Sequence, residues 1–155
     1  MIRLSRMADY AVVLMTCLPE NMGSSKSASD LACETRLPLP TVSRILKKLA
    51  QRHLLESKRG TNGGYRLARS QRDITVVDII VAVDGPIALT NCLEDGPGDC
   101  GIETFCPLRS HWQLINAAIS KALRQVTLAD LISPITTIPQ MQTDVPGTIE
   151  RTGCA

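Results

Sequence analysis

The sequence predicts a mainly α-helical fold with one small β-hairpin, and three observations carry that prediction. In its first third, apolar residues recur at three- and four-residue steps in stretches separated by Pro and Gly breaks. A Gly/Asn-rich turn, "RGTNGG", then divides a segment that alternates between inward and outward residues, the pattern of two short paired strands. Further on, Leu108, Trp112, Ile115, Ile119, Ala122 and Val126 follow the 4-3-4-3-4 spacing of a heptad repeat, the pattern of a long helix with a seam for a second copy.

At 155 residues and 44% hydrophobic content, the chain is long enough for one domain with a true core, or a small domain plus an appendage. No stretch approaches the roughly 18 consecutive apolar residues of a membrane span. The opening "MIRLSRMADY" carries charges where a secretion signal has its apolar region, so a cytoplasmic location and no membrane partner are expected. The net charge of +2 is unevenly divided. Residues 1–72 hold 13 Lys/Arg against 5 Asp/Glu, a net of +8, and residues 73–155 hold 4 against 10, a net of −6. A nucleic-acid-facing first half and a second half with another task follow from that asymmetry. Enzymatic chemistry is not expected: there is no P-loop, no HExxH and no nucleophile-base pair, and His53 and His111 fall at a helix end and on a helix surface.

Element by element, Met7, Tyr10, Ala11, Leu14 and Leu18 form one face of a first helix, with Ser5 as its cap. Ser27 and Asp30 give the S-x-x-D capping signal of a short second helix ending near Thr35. After "RLPL", Pro40 suits the first position of a third helix running to His53, with Val42, Ile45, Leu46 and Leu49 inward. Arg44, Lys47, Lys48 and Gln51 fall on its other side, with Thr41 and Ser43 at its N-terminal end. Two helices joined in this way form a helix-turn-helix, whose second helix enters the DNA major groove. The hairpin after it is a wing with Arg59 at its tip beside Gly60, Gly63 and Gly64, free to approach a phosphate or the minor groove. "DITVVDIIVAVDGP" reads as a helix with Asp73 as cap, and "TLADLI" as a short helix capped by Thr127. Leu114, Ala118 and Leu123 give the heptad helix a second apolar face, toward its own domain. The expected division is residues 1–85 as a winged helix-turn-helix, 86–106 as a cysteine loop, 107–132 as dimerisation helix plus a short C-terminal helix, and 133–155 as a flexible tail.

Cys92, Cys100 and Cys106 lie in an acidic, turn-rich loop, whereas Cys17 and Cys33 fall in helical patterns as small buried hydrophobes. Thiolates are soft ligands that select iron-sulfur, zinc or copper(I). Structural zinc favours at least one hairpin of two to four intervening residues, and here the gaps are seven and five. A cluster bridged through several irons suits such a loop better than one tetrahedral ion. Zinc, a redox-active thiol pair and plain loop cysteines are the alternatives at this point.

"MIRLSRMADYAV", "LPLPTVSRILKKL", "KRGTNGGYRLA" and "ITVVDIIVAVDG", followed by three cysteines and "TLADLI", resemble the bacterial winged-helix iron-sulfur transcription regulators, the IscR/NsrR-like family. The likeness extends over residues 1–132 and is nearest the branch that regulates SUF iron-sulfur assembly. It implies a homodimeric repressor on operator DNA that senses iron-sulfur status, or redox and nitric-oxide stress, through a 2Fe-2S or 4Fe-4S cluster. Cys92, Cys100 and Cys106 match the ligand cysteines, and Arg59 the wing arginine of the minor groove. Thr41, Ser43 and Arg44 match the base-facing start of the recognition helix. The chain departs from the family in its seven-residue first gap and in carrying Arg109 where one branch has a ligand histidine. A fourth ligand then comes from elsewhere, with His111, Glu103 and Asp9 as candidates, or is absent and replaced by a small molecule such as a thiol. Asp9 matches the acidic residue that the partner subunit contributes in the nitric-oxide-sensing branch. A metal-free cysteine-redox repressor and an iron-sulfur carrier are the other functional readings.

Overall fold

A computed structural model describes residues 3–20, 24–58, 60, 63–90, 93 and 105–133. Among the described residues, six helices and one hairpin follow in the order α1 (Arg6–Thr16), α2 (Ala28–Thr35), α3 (Leu39–Gln51), β1 (Leu55–Lys58), β2 (Gly64–Leu67), α4 (Val76–Asp84), α5 (Arg109–Arg124) and α6 (Leu128–Ile132). The fold is thus mainly helical with a two-stranded antiparallel sheet, as the periodicities predict. No helix among the described residues is long and apolar enough to cross a membrane.

Local chemistry sets the helix starts. The Ser5 hydroxyl accepts from Ala8 N at 3.0 Å and opens α1. Ser27 with Asp30, and Thr127 with Asp130, form reciprocal capping boxes on α2 and α6. The bonds from Ser27 and Thr127 hold these two carboxyls below their ordinary titration range. On α4 the capping box pairs Thr75 with Asp78, and Asp73 belongs to a short 3-10 turn at Gln71–Asp73 instead of capping the helix. The S/T-x-x-D geometry gives Thr75 two reciprocal bonds, which Asp73 cannot match. α3 starts at Leu39 with Pro38 as N-cap, one residue ahead of the expected start at Pro40.

One core holds the first half together. Leu14, Met15 and Leu18 from α1, Leu31 from α2, and Val42, Ile45, Leu46 and Leu49 from α3 are all buried in it. The α3 stripe is the one read from the sequence. Ile79 and Val83 of α4 close the core from the C-terminal side, and Leu128 of α6 is buried among the same residues. A bridge between Thr75 and Thr127 brings the chain back there after α5, with Leu128 N on Ile74 O at 2.8 Å. Cys33 departs from expectation: it is exposed on α2, because the α2 stripe buries only Leu31. Cys17 is half-buried, and burial, then Glu34, raise its thiol pKa.

The hairpin pairs Leu55 with Leu67 and Lys58 with Gly64, and Glu56 accepts from Arg66 Nε at 2.8 Å across it. A third segment supports it. Lys26 exchanges two backbone bonds with Tyr65, at 3.0 and 2.8 Å, so the residues before α2 act as a one-residue edge strand. A Cβ on Gly64 would stand 2.6 Å from the Lys26 carbonyl oxygen, backbone that cannot rotate away. Gly64→Ala is expected to pry the wing from α2 and cost about 1–3 kcal/mol as an overpacking change. The fall in thermal midpoint checks it, with Gly60→Asn, at an open tip position of positive φ, as the milder comparison.

α5 has no buried residue in the single chain. Its heptad stripe is divided. Val126, just beyond the helix, and Leu123 pack against Ala8, Val76 and Ile80, and Ile119 lines a cleft with Leu123, Leu4, Ile80 and Ile87. Leu108, Ile115 and Ala122 remain exposed, with Trp112 at the margin. The second apolar face is corrected in turn: Leu123 folds back, whereas Ala118 is exposed and Leu114 is 72% exposed. A straight helix at 3.6 residues per turn drifts out of a 3.5-residue seam, so one apolar stripe serves two surfaces.

Candidate nucleic-acid interface and cysteine loop

The buried stripe of α3 fixes which residues its far side offers. Ser43, Arg44 and Lys47 are exposed there, and Thr41 is half-buried at the edge. From Thr41 to Lys47 is six steps, roughly 9 Å of helix axis, which fits a major groove about 12 Å wide. Two carboxyl-free turns make this surface basic and small-polar, as a groove-reading helix requires. Lys48 is the exception in the sequence reading. Its Nζ donates to the Val83 carbonyl at the end of α4, so it braces α3 against the core instead of facing outward. Only the packing of α4 could reveal this, because helical phase alone leaves Lys48 on the rim.

The α2–α3 connection is tight. Arg36 closes α2 in the left-handed conformation at φ 56°, and only Leu37 and Pro38 separate it from α3. Non-glycine residues adopt this conformation at helix ends where the turn demands it. On the wing, Gly60 is exposed at φ 121° and accepts from Gly63 N at 2.8 Å, which closes the tip. Arg59 lies outside the described residues.

Cys92 and Cys100 also lie outside the described residues, as does Glu103. Cys106 is half-buried immediately ahead of α5, and its carbonyl accepts from Arg109 N at 3.4 Å. The first turn of α5 holds no acidic residue, so the positive end of the helix is open to a thiolate or an anionic group beside Cys106. His111 is exposed on α5. Asp9 is exposed in the first turn of α1, where the helix dipole favours a carboxylate. Among the described residues no three His, Cys, Asp or Glu side chains gather into a metal-sized group. The donor chemistry nevertheless suits an iron-sulfur group: Cys106 is a free, partly exposed thiol ahead of a helix N-terminus, six and fourteen positions after the other two in sequence. Cys17, half-buried and with a raised pKa, is a poor thiolate and stands apart from that set.

Residues 4–134 match the family model of Rrf2, described as an iron-dependent transcriptional regulator. The HTH-type transcriptional regulator IscR of Vibrio atlanticus is 32% identical over 133 residues, covering 84% of this chain and 75% of that one. Among solved structures, IscR of T. potens superposes with a TM-score of 0.62 at 30% identity, covering 84% of this chain and 86% of that one. CymR, the global cysteine regulator of B. subtilis, superposes with a TM-score of 0.64 at 26% identity, covering 85% and 97%. A helix-turn-helix with a basic outer face, a wing supported from behind and a family model spanning nearly all the described residues lead to one assignment. The chain belongs to the Rrf2 family of iron-dependent transcriptional regulators, and it is a DNA-binding regulator and not an enzyme.

Proposed function

We propose that the protein is a homodimeric repressor that senses iron-sulfur status, or redox and nitric-oxide stress, through a 2Fe-2S or 4Fe-4S cluster, and controls iron-sulfur assembly genes. The observation that carries this reading is that Cys92, Cys100 and Cys106 fall within fifteen residues of sequence just ahead of the exposed apolar helix α5. Those three thiolates hold the cluster, and Asp9 of the partner subunit completes its ligand set. Such a cluster supplies a labile, redox-sensitive centre, since carboxylate ligation and solvent exposure weaken its retention. The chain's own part is to connect that loop to DNA. Residues 86–106 form the sensing segment, α5 the dimer contact, and residues 1–85 the reading head. A change at the loop alters the population of dimers whose two α3 helices stand one helical turn of DNA apart, about 34 Å.

On DNA, Thr41, Ser43, Arg44 and Lys47 read or flank bases in the major groove, and Arg59 beside Gly60 enters the minor groove. Arg44→Ala and Arg59→Ala are each expected to weaken operator binding by about 1–3 kcal/mol. Arg59→Ala should reduce affinity for operators of different sequence alike, and Arg44→Ala should relax base preference at one position. Titrations across salt concentrations check this, because phosphate contacts show in the slope of log affinity against log salt.

Anaerobic purification is the first test of the cluster. Brown protein with iron and inorganic sulfide that binds a cluster-assembly promoter supports the reading. Colourless, iron-free protein that still responds to peroxide on DNA supports the second reading, a repressor that switches by thiol oxidation. Cys106, a free and partly exposed thiol, is the residue such a switch would use. A coloured protein indifferent to DNA would be an iron-sulfur carrier.

A further inference from the structure

A second charged site lies beyond the groove-reading face, at the C-terminal end of α3. Arg52, Arg69 and Arg124 line one cleft of about 200 Å³ with Leu54, Val77, Val81 and Ala82. The three arginines come from three elements: Arg52 is the C-cap of α3, Arg69 follows β2, and Arg124 is the last residue of α5. Among the described residues, none of their side chains is paired with a carboxylate or a carbonyl. Asp78 borders the cleft, but its Oδ2 already accepts from Thr75 N and Thr75 Oγ1, at 3.0 and 2.9 Å. Helix dipoles account for a cation at the end of α3 and another at the end of α5. They do not account for Arg69, nor for three arginines lining one cleft with apolar neighbours.

We propose that this cleft binds a small organic anion bearing a carboxylate or phosphate group. The guanidinium fork matches such oxyanions in pairs of hydrogen bonds, and three like charges around one concavity are relieved by a counter-anion. The buried side chains of Leu54, Val77 and Ala82 receive the carbon part. The cleft is smaller than the roughly 300 Å³ at which drug-sized sites begin, so the ligand has a few carbons and is not a nucleotide. DNA is a less suitable source of the phosphate, because Arg52 stands eleven residues, about 16 Å of helix axis, beyond Thr41. A bound anion links the trailing end of α3 to the end of α5, so it is placed to adjust the DNA-reading head against the dimer helix. This goes beyond the cluster-sensing reading and does not depend on it.

The test is the melting temperature of the full chain in inorganic phosphate or succinate against sodium chloride of equal ionic strength. The wild type should show a saturable rise with a half-effect on the order of 1 mM. Arg124→Gln should lose at least half of that rise and Arg52→Gln/Arg69→Gln all of it, while Arg44→Gln keeps it in full. If the double variant does not fold, Arg124→Gln decides alone. An equal rise in every variant would be general anion exclusion from the surface and would overturn the proposal, as would the absence of saturation. A third contrary result is Arg124→Gln weakening operator binding in phosphate-free buffer and lowering the salt slope by about one, which would make the cleft a DNA-backbone contact.

Discussion

Replacing Cys92, Cys100 and Cys106 together by Ala is expected to abolish all visible absorption and bound iron, and to leave promoter occupancy indifferent to oxygen and iron supply. The expectation rests on the position of the three thiols. They fall within fifteen residues of an acidic stretch of sequence, and the last of them, Cys106, stands just ahead of α5, the helix proposed to join two copies. The core of the reading head lies elsewhere, in α1 to α4 and α6, so the triple variant should keep its helical content and fold. Occupancy measured on the promoter across aerobic, anaerobic and iron-starved cultures gives the readout. A triple variant that responds to those conditions as the wild type does would end the proposed sensing role. Cys33→Ala and Cys17→Ala serve as controls: neither is in the loop, and each should leave both absorption and response intact.

Ile115→Glu is expected to convert the protein to monomers and to reduce operator affinity by about 100-fold or more. Leu108, Leu114, Ile115 and Trp112 form an exposed apolar surface along α5, which no other described residue buries. A patch of this kind on a helix surface marks an interface. Once two heads are joined, the second half-site is engaged at an effective concentration set by the dimer, which raises affinity by 10²–10⁴ without new contacts. A carboxylate at the centre of that surface remains hydrated in the monomer and must be desolvated in the dimer, so it opposes association selectively. Sedimentation velocity reads the oligomeric state, and a stable dimer with unchanged DNA affinity would contradict the expectation. Leu123→Glu makes a useful contrast. Leu123 packs on Ala8, Val76 and Ile80, so that change should damage folding of the single chain rather than association alone.

The helix-turn-helix was readable almost residue by residue. The α3 stripe of Val42, Ile45, Leu46 and Leu49 follows from period alone, and the caps at Ser5, Ser27 and Thr127 follow from side chains that satisfy backbone donors within three positions. Such signals are local, so neighbouring sequence suffices to state them. The same locality misplaced the α4 cap. Asp73 and Thr75 both precede an apolar run, and only the reciprocal bond from Asp78 separates them. The support of Lys26 behind the wing had no sequence signal, because a one-residue bridge has no period to detect.

By itself the sequence determined the fold class, the basic first half and the hairpin, all of which are patterns within one segment or a count of residue types. Tertiary structure alone decided which half of the α5 stripe stays exposed, that Lys48 braces α4 instead of facing outward, and that Arg52, Arg69 and Arg124 share one cleft. The reason is physical. Periodicity fixes a side chain's angle around its own helix, whereas exposure and charge pairing depend on what the rest of the chain places opposite it, across separations that no local pattern encodes.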